Sequence, residues 1–278
     1  VGRAARANEA NEQRVSRSRR TVRAAGKRRA PAGARAPRQP RERTAALVVV
    51  GDEILSGRTI DTNSLYLART LRELGVRLLV TITVPDKPRL IKEAVGFCRH
   101  RVSYVFTSGG LGPTHDDVTL KGVSRALGVP LVRNPELERR LRALFGESLN
   151  EDQLKMAQVP RGAKLHYYPN LRLPIVSIRN IFLFPGIPEL FQQKVDAMRE
   201  TLRSAPYFTR EILSTRRESD IARLLRTAIA RYPKTRIGSY PRWKGKKYKV
   251  TIVVESKDRA SVQQASTFLR EGLRRIQG

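Results

Sequence analysis

Six consecutive apolar residues, Ala45–Val50 in "TAALVVVGDEI", end at Gly51 and leave no polar partner for a solvated face. A strand with one wet face alternates apolar and polar residues. An unbroken β-branched run instead belongs inside a parallel sheet covered on both sides. The next segments fit that position. Asp61–Gly75, "DTNSLYLARTLRELG", reads as an amphipathic helix with a polar start and a glycine stop. "VRLLVTITVPD" reads as a strand, Lys87–His100 as a helix, "VSYVFTSGG" as a strand, and Val118–Leu127 as a helix closed by Gly128. This alternation predicts an α/β fold, a mostly parallel sheet with helices on both faces.

Pro135–Phe145 and Glu151–Val159 read as helices of an excursion from that sheet, "PIVSIRN" and "IFLFPGIPEL" as returning strands, and Ile187–Leu202 as a closing helix. After "RSAPYF" the order changes to strand, helix, strand, strand, helix, the pattern of a small α+β (βαββα) domain. The expected division is a basic tail over 1–43, an α/β domain over 44–204 and the small domain over 205–278.

The net charge is +30, and Val1–Thr44 carry 14 Lys/Arg against three Glu. This tail, rich in Arg, Ala, Pro and Gly, is expected to be disordered. It reads as an organelle transit peptide, a basic arm for RNA or acidic partners, or an inert extension. The remaining positive charge is spread over helix surfaces and reads as a solvated face, so nucleic acid is not an expected partner outside the tail. A cytoplasmic location is expected, with a mitochondrial or plastid one if the tail is a transit peptide. No apolar run reaches the ~18 residues of a membrane span. The single Cys98 excludes an internal disulfide framework and a cysteine-built zinc site.

The residues with chemistry gather where strands end, the place open parallel sheets bind ligands. The first strand leads into Gly51, Asp52 and Glu53, and the second into Pro85 and Asp86. The third leads into Thr107, Ser108, Gly109, Gly110, Leu111, Gly112, Pro113, Thr114, His115, Asp116 and Asp117. A later strand leads into Pro185, Gly186, Ile187 and Pro188. Glycine turns with free N–H groups and a helix N-terminus bind anions, yet carboxylates stand beside them. A divalent cation (Mg²⁺, Mn²⁺ or Co²⁺) resolves that conflict, held by one or two carboxylates and the substrate phosphates. Asp52, Asp86, Asp116 and Asp117 are the candidate ligands, and any of the acids is alternatively a general base. A purely structural turn needs only Asp116 or Asp117 as a cap. "GGLGPT" matches neither the P-loop nor the dinucleotide glycine spacing.

Asp61 and Asn63 open the first helix as a cap, as ligand contacts, or as both. His115 reads as a metal or phosphate ligand or as an ordinary loop contact, and His100 and His166 as structural. Arg179 either meets a phosphate or merely crosses its strand. Tyr240 and Trp243, in "GSYPRWKGKKYK", read as a hairpin loop or as a stacking platform for a base.

The motifs "VVVGDEILSGRTIDTNSLYLARTLRELGV", "VPD", "TSGGLGPTHDDVT" and "FLFPGIPEL" together resemble the molybdopterin-binding domain shared by MoaB/Mog proteins, CinA proteins and eukaryotic FAD synthases. The resemblance covers Thr44–Leu202, and "LKMAQVPRGAKLHYYPNLRLPIVSIRNIFLFPGIPELF" is most similar to the N-terminal domain of animal-type FAD synthases. The small domain resembles the module that follows in CinA and FAD synthase proteins. The resemblance implies a three-layer α/β/α fold, a homo-oligomer, and a nucleotide or pterin site at these strand ends. It implies that the acids matching Asp86 and Asp117 act in metal-assisted nucleotide transfer, and that Gly109–Gly112 hold phosphate. For CinA and FAD synthase relatives it implies hydrolysis of pyrophosphates such as FAD or ADP-ribose. The alternatives are molybdopterin binding or adenylylation, and a regulatory nucleotide-binding domain without turnover. No segment resembles the PAPS-reductase-like synthase domain or the deamidase domain, so FAD synthesis is not expected of these residues.

Overall fold

A computed structural model of the protein describes residues 42–242 and 249–277. The basic tail up to residue 41, and Trp243 with the loop around it, lie outside the described residues.

The apolar run becomes β1 (Thr44–Val50), buried along both faces from Ala45 onward. After a single helical turn, α1 (Asp52–Leu55), comes α2 (Thr62–Glu73), which leads to β2 (Arg77–Val84). Helix α3 (Pro88–Arg99) then connects β2 to β3 (Tyr104–Ser108), and α4 (Thr119–Leu127) succeeds β3. β2 and β3 flank β1, both parallel to it. Alternate residues of β1 feed opposite cores. Leu47 and Val49 pack with Leu67 and Leu71 of α2, and Val48 and Val50 with Ile91 and Val95 of α3. The unbroken apolar run follows from that double burial.

The excursion differs from the sequence expectation. Helix α5 (Pro135–Phe145) forms as expected, whereas the second helix stops early, as α6 (Glu151–Lys155). The chain then enters β5 (Gln158–Pro160), paired antiparallel with β4 (Leu131–Arg133). Ala157 and Val159 are buried and Gln158 between them is exposed, a strand period that three residues make hard to see. A further short strand, β6 (Lys164–His166), joins the main sheet beside β7 (Ile175–Ile178), which turns back into β8 (Ile181–Phe184). The sheet order is β2-β1-β3-β8-β7-β6, with β8 parallel to β3 and β7 running against it. The expected closing helix breaks at Met198 into α7 (Pro188–Ala197) and α8 (Arg199–Leu202).

The C-terminal region has the expected βαββα order: β9 (Phe208–Ser214), α9 (Glu218–Arg231), β10 (Arg236–Pro241), β11 (Val250–Ser256) and α10 (Arg259–Gln277). Its antiparallel sheet, β10-β11-β9, shares a core with both helices. Ionic and polar contacts join it to the first sheet. Arg72 of α2 pairs with Glu255 of β11, and Lys257 donates to the Gly75 carbonyl at 2.6 Å. Tyr207 lies under the Arg72 guanidinium and donates to Glu42, and burial with that bond pushes its phenol up to about 12. Among the described residues no helix is long and apolar enough to cross a membrane.

Candidate functional site

The carboxyl ends of β2, β1, β3 and β8 lie side by side, and their loops build one edge. At β1, the Gly51 N–H donates to the Val84 carbonyl at 3.1 Å, and the Asp52 N–H to Asp86 Oδ2 at 2.9 Å. Asp86 thereby ties the second strand end to the first turn of α1. Burial pushes the Asp86 carboxyl up. The Asp52 N–H opposes that shift, and the charges of Glu53, Asp52 and Asp116 add to it. Asp52, Glu53, Asp86 and Asp116 therefore share one electrostatic neighbourhood.

Asp117 is used differently. Its carboxylate accepts from the Thr114 N–H at 2.8 Å and from the Thr114 hydroxyl, closing the loop on itself. Proximity to the Thr114 side chain also holds the exposed Asp116 carboxyl below its ordinary value. Among the described residues no three His, Cys, Asp or Glu side chains converge as a ready metal cage. An exposed acid cluster of this kind still fits a cation that takes one or two carboxylates and completes its shell with water and phosphate. The repulsion on Asp86 is what such a cation would relieve.

The glycine loop has a steric origin. Gly109 and Gly110 have φ of 99° and 65°, the left-handed region that suits glycine. A Cβ on Gly109 would collide with the Val50 carbonyl oxygen, so β1 and the loop meet backbone to backbone. The Gly109 N–H donates to the Phe184 carbonyl at 3.2 Å. Thr119, at the start of α4, returns its hydroxyl to the Gly109 carbonyl at 2.8 Å and its N–H to the Gly110 carbonyl at 3.1 Å. Among the described residues the N–H groups of Gly110, Leu111 and Gly112 donate to no acceptor. Successive unpaired amides ahead of a helix N-terminus form an anion-binding concavity.

Several of the expected site residues support the loops. Asp61 caps α2 by accepting from the Ser64 N–H at 2.9 Å. Asn63, buried, donates to Ser108 Oγ at 2.9 Å and to the Gly186 carbonyl at 2.8 Å, clamping the ends of β3 and β8. Its Oδ1 is buried with no donor among the described residues. Thr107 is buried and accepts from the Phe184 N–H, and Pro188 opens α7. His115 is exposed on the loop, and His166 bonds Ser177 between β6 and β7, away from the loops. Arg179 sits in the β7–β8 turn, ahead of the amino end of β8 and so at the opposite edge of the sheet, with φ of 53°.

One feature escaped the sequence. A cavity of about 710 Å³ opens beside the glycine loop, between α5, α7 and the ends of β7 and β8. Leu111, Leu120, Leu141, Leu183 and Pro185 give it apolar walls. Lys194 of α7 lines it too, donating to the carbonyls of Leu173 at 3.1 Å and Pro174 at 2.7 Å. Burial pushes its ammonium down to about 8. The lining comes from segments scattered between residues 111 and 194, and a lone lysine within an amphipathic helix carries no signal of burial.

Comparison with known proteins bears on this edge. Residues 46–204 match the family described as a probable molybdopterin binding domain, and residues 206–276 match the FAD synthase middle domain. A protein of Aeropyrum pernix is 42% identical over 149 residues, 51% of this chain and 56% of that protein. A probable FAD synthase of Caenorhabditis elegans is 32% identical over 190 residues, 60% of this chain but 37% of its own length. A CinA-like protein of Desulfovibrio desulfuricans is 36% identical over 166 residues, 57% of this chain and 39% of its own. The match thus spans little more than half of the first relative and about two-fifths of the other two. Among solved structures, CinA from Thermoplasma acidophilum, described as of unknown function, superposes with a TM-score of 0.54 at 27% identity. It covers 58% of this chain and 98% of that one.

The geometry makes two outcomes measurable. Gly109→Ala is expected to lower unfolding free energy by about 3 kcal/mol in urea titration, combining a left-handed backbone with a carbonyl clash. An unchanged midpoint would mean the loop does not rest on β1. For Lys194, the folded chain sheds its proton near pH 8 while the unfolded chain keeps it to near ~10.4. The unfolded state then binds more protons between those values, so stability rises with pH there. Relative to Lys194→Met, the parent should gain of the order of 2–3 kcal/mol between pH 8 and 10; a flat difference would show the ammonium is not desolvated.

Proposed function

The chain belongs to the probable molybdopterin binding domain family and continues into a FAD synthase middle domain. From that premise we propose that its carboxyl edge hydrolyses the pyrophosphate of a nucleotide such as FAD or ADP-ribose with a divalent cation. The observation that carries the reading is the free amide run Gly110–Gly112 beside the crowded Asp86 carboxylate. The amides bind phosphate oxygens, and the glycines let the backbone approach them.

Asp86, with Asp52 or Asp116, would hold the cation through one or two carboxylates. Once bound, such a cation neutralises phosphate charge and favours attack by water. In the reaction a water oxygen bonds to phosphorus and the bridging P–O bond breaks. The departing phosphate keeps the electron pair, and the proton lost by water passes to a carboxylate of the cluster. Asp117 keeps Thr114 and the loop in place, and Asn63 keeps β3 and β8 in register beneath it. A molybdopterin phosphate would suit the same amides, as the family's description suggests, and a regulatory domain would bind nucleotide without turnover.

Incubation with FAD or ADP-ribose and Mg²⁺, Mn²⁺ or Co²⁺ separates these. AMP should appear with FMN or ribose 5-phosphate, and a chelator should stop it. Asp86→Asn can still accept from the Asp52 N–H and sheds like-charge repulsion, so it should melt no lower than the parent. Its turnover should fall at least ~100-fold. Nucleotide binding without AMP release under any metal would favour the regulatory reading, and fluorescent pterin copurifying with the protein would favour the pterin one.

A further inference from the structure

We propose that the cavity between α5, α7 and β8 binds an apolar monoanion, a medium-chain alkyl carboxylate, with its chain among the leucines and its head on Lys194. This ligand is not the nucleotide discussed above, and the site stands or falls without the pyrophosphate reading.

The walls fix the first half of that description. Leu120, Leu141, Phe145, Met156 and Leu183 line a space of about 710 Å³, within the range of small-molecule pockets. Apolar surface open to water favours a ligand that covers it with CH₂ groups. Sugar hydroxyls or a phosphate laid against it would shed water without gaining partners.

The charge of the lining fixes the second half. Lys194 and the exposed Arg172 border the cavity, and among the described residues no Asp or Glu does. An ammonium has three N–H donors, and two of those on Lys194 go to the carbonyls of Leu173 and Pro174. Both acceptors are neutral, so the positive charge stays uncompensated. Burial alone pushes this ammonium down, with no carboxylate to offset it. A ligand carboxylate on the third N–H supplies the missing acceptor and the missing opposite charge together. A neutral ligand would supply only the acceptor. A dianionic phosphate would bring more charge and more acceptors than one N–H satisfies. One negative charge on an apolar body is what remains.

Decanoate and decanol, alike in chain and different in charge, isolate this contact. At about pH 7, where Lys194 is mainly protonated, isothermal titration calorimetry should show saturable decanoate binding by the parent. Lys194→Met removes a charge-assisted hydrogen bond, so it should weaken decanoate about tenfold and leave decanol within about twofold. Leu144→Trp, which fills the cavity from a partly exposed position, should weaken both. Shortening decanoate by two CH₂ groups should cost the parent about tenfold in affinity. Thermal melts report whether each variant folds, and if Leu144→Trp does not, Lys194→Met and the chain-length comparison decide. No saturable decanoate binding by the parent overturns the proposal. So does a folded Lys194→Met that keeps its decanoate affinity, or that loses acid and alcohol equally. Affinity that falls as protein concentration rises, the mark of a second copy covering the cavity, overturns it as well.

Discussion

No side-chain carbon fits at Gly109, because the last carbonyl of β1 already occupies that space. The rest of the carboxyl edge depends on this backbone contact. The chain leaves β3 in a left-handed turn and is fastened by Thr119 to the start of α4. Gly186 crosses over the same point, where a Cβ would stand 3.2 Å from the Gly109 Cα, and Asn63 ties its carbonyl to Ser108. With the carbonyls of Gly109 and Gly110 turned inward to Thr119, the next amides are left for a ligand.

Charge is arranged around that turn with the same economy. On the β1 and β2 side, burial weakens the acidity of Asp86 and the neighbouring acids add to it, although the Asp52 N–H pulls the other way. On the β8 side the cavity is lined by Lys194, held by carbonyls rather than by a carboxylate. The basic surface elsewhere pairs along helices, as with Arg139 and Arg140 on Glu136, and such exposed pairs add little stability.

Much of this was legible from residue order. The apolar run of β1 announced burial on both faces, and the strand ends announced the loops, because glycine beside carboxylate at several such ends has few structural uses. The βαββα order of the C-terminal region was equally plain. The features that stayed hidden depended on contacts distant in sequence or on very short elements. The bonds by which Asp117 fastens Thr114, and the hairpin that places Arg179 at the opposite edge of the sheet, leave no mark in the residue pattern. The β4–β5 ribbon is too short for its period to outweigh the preceding helix. The cavity needs α5, α7 and β8 together, and no local pattern in any one of them predicts it.

The central claim is that the amides after Gly109 seat a pyrophosphate. A crystal structure with methylene-bridged ADP-ribose, whose P–C–P link resists hydrolysis, and a divalent cation tests it most directly. Phosphate oxygens within hydrogen-bond distance of the Gly110, Leu111 or Gly112 N–H groups, with Asp86 on the cation side, are the predicted result. Phosphates bound elsewhere on the chain, with those amides facing only solvent, would contradict it.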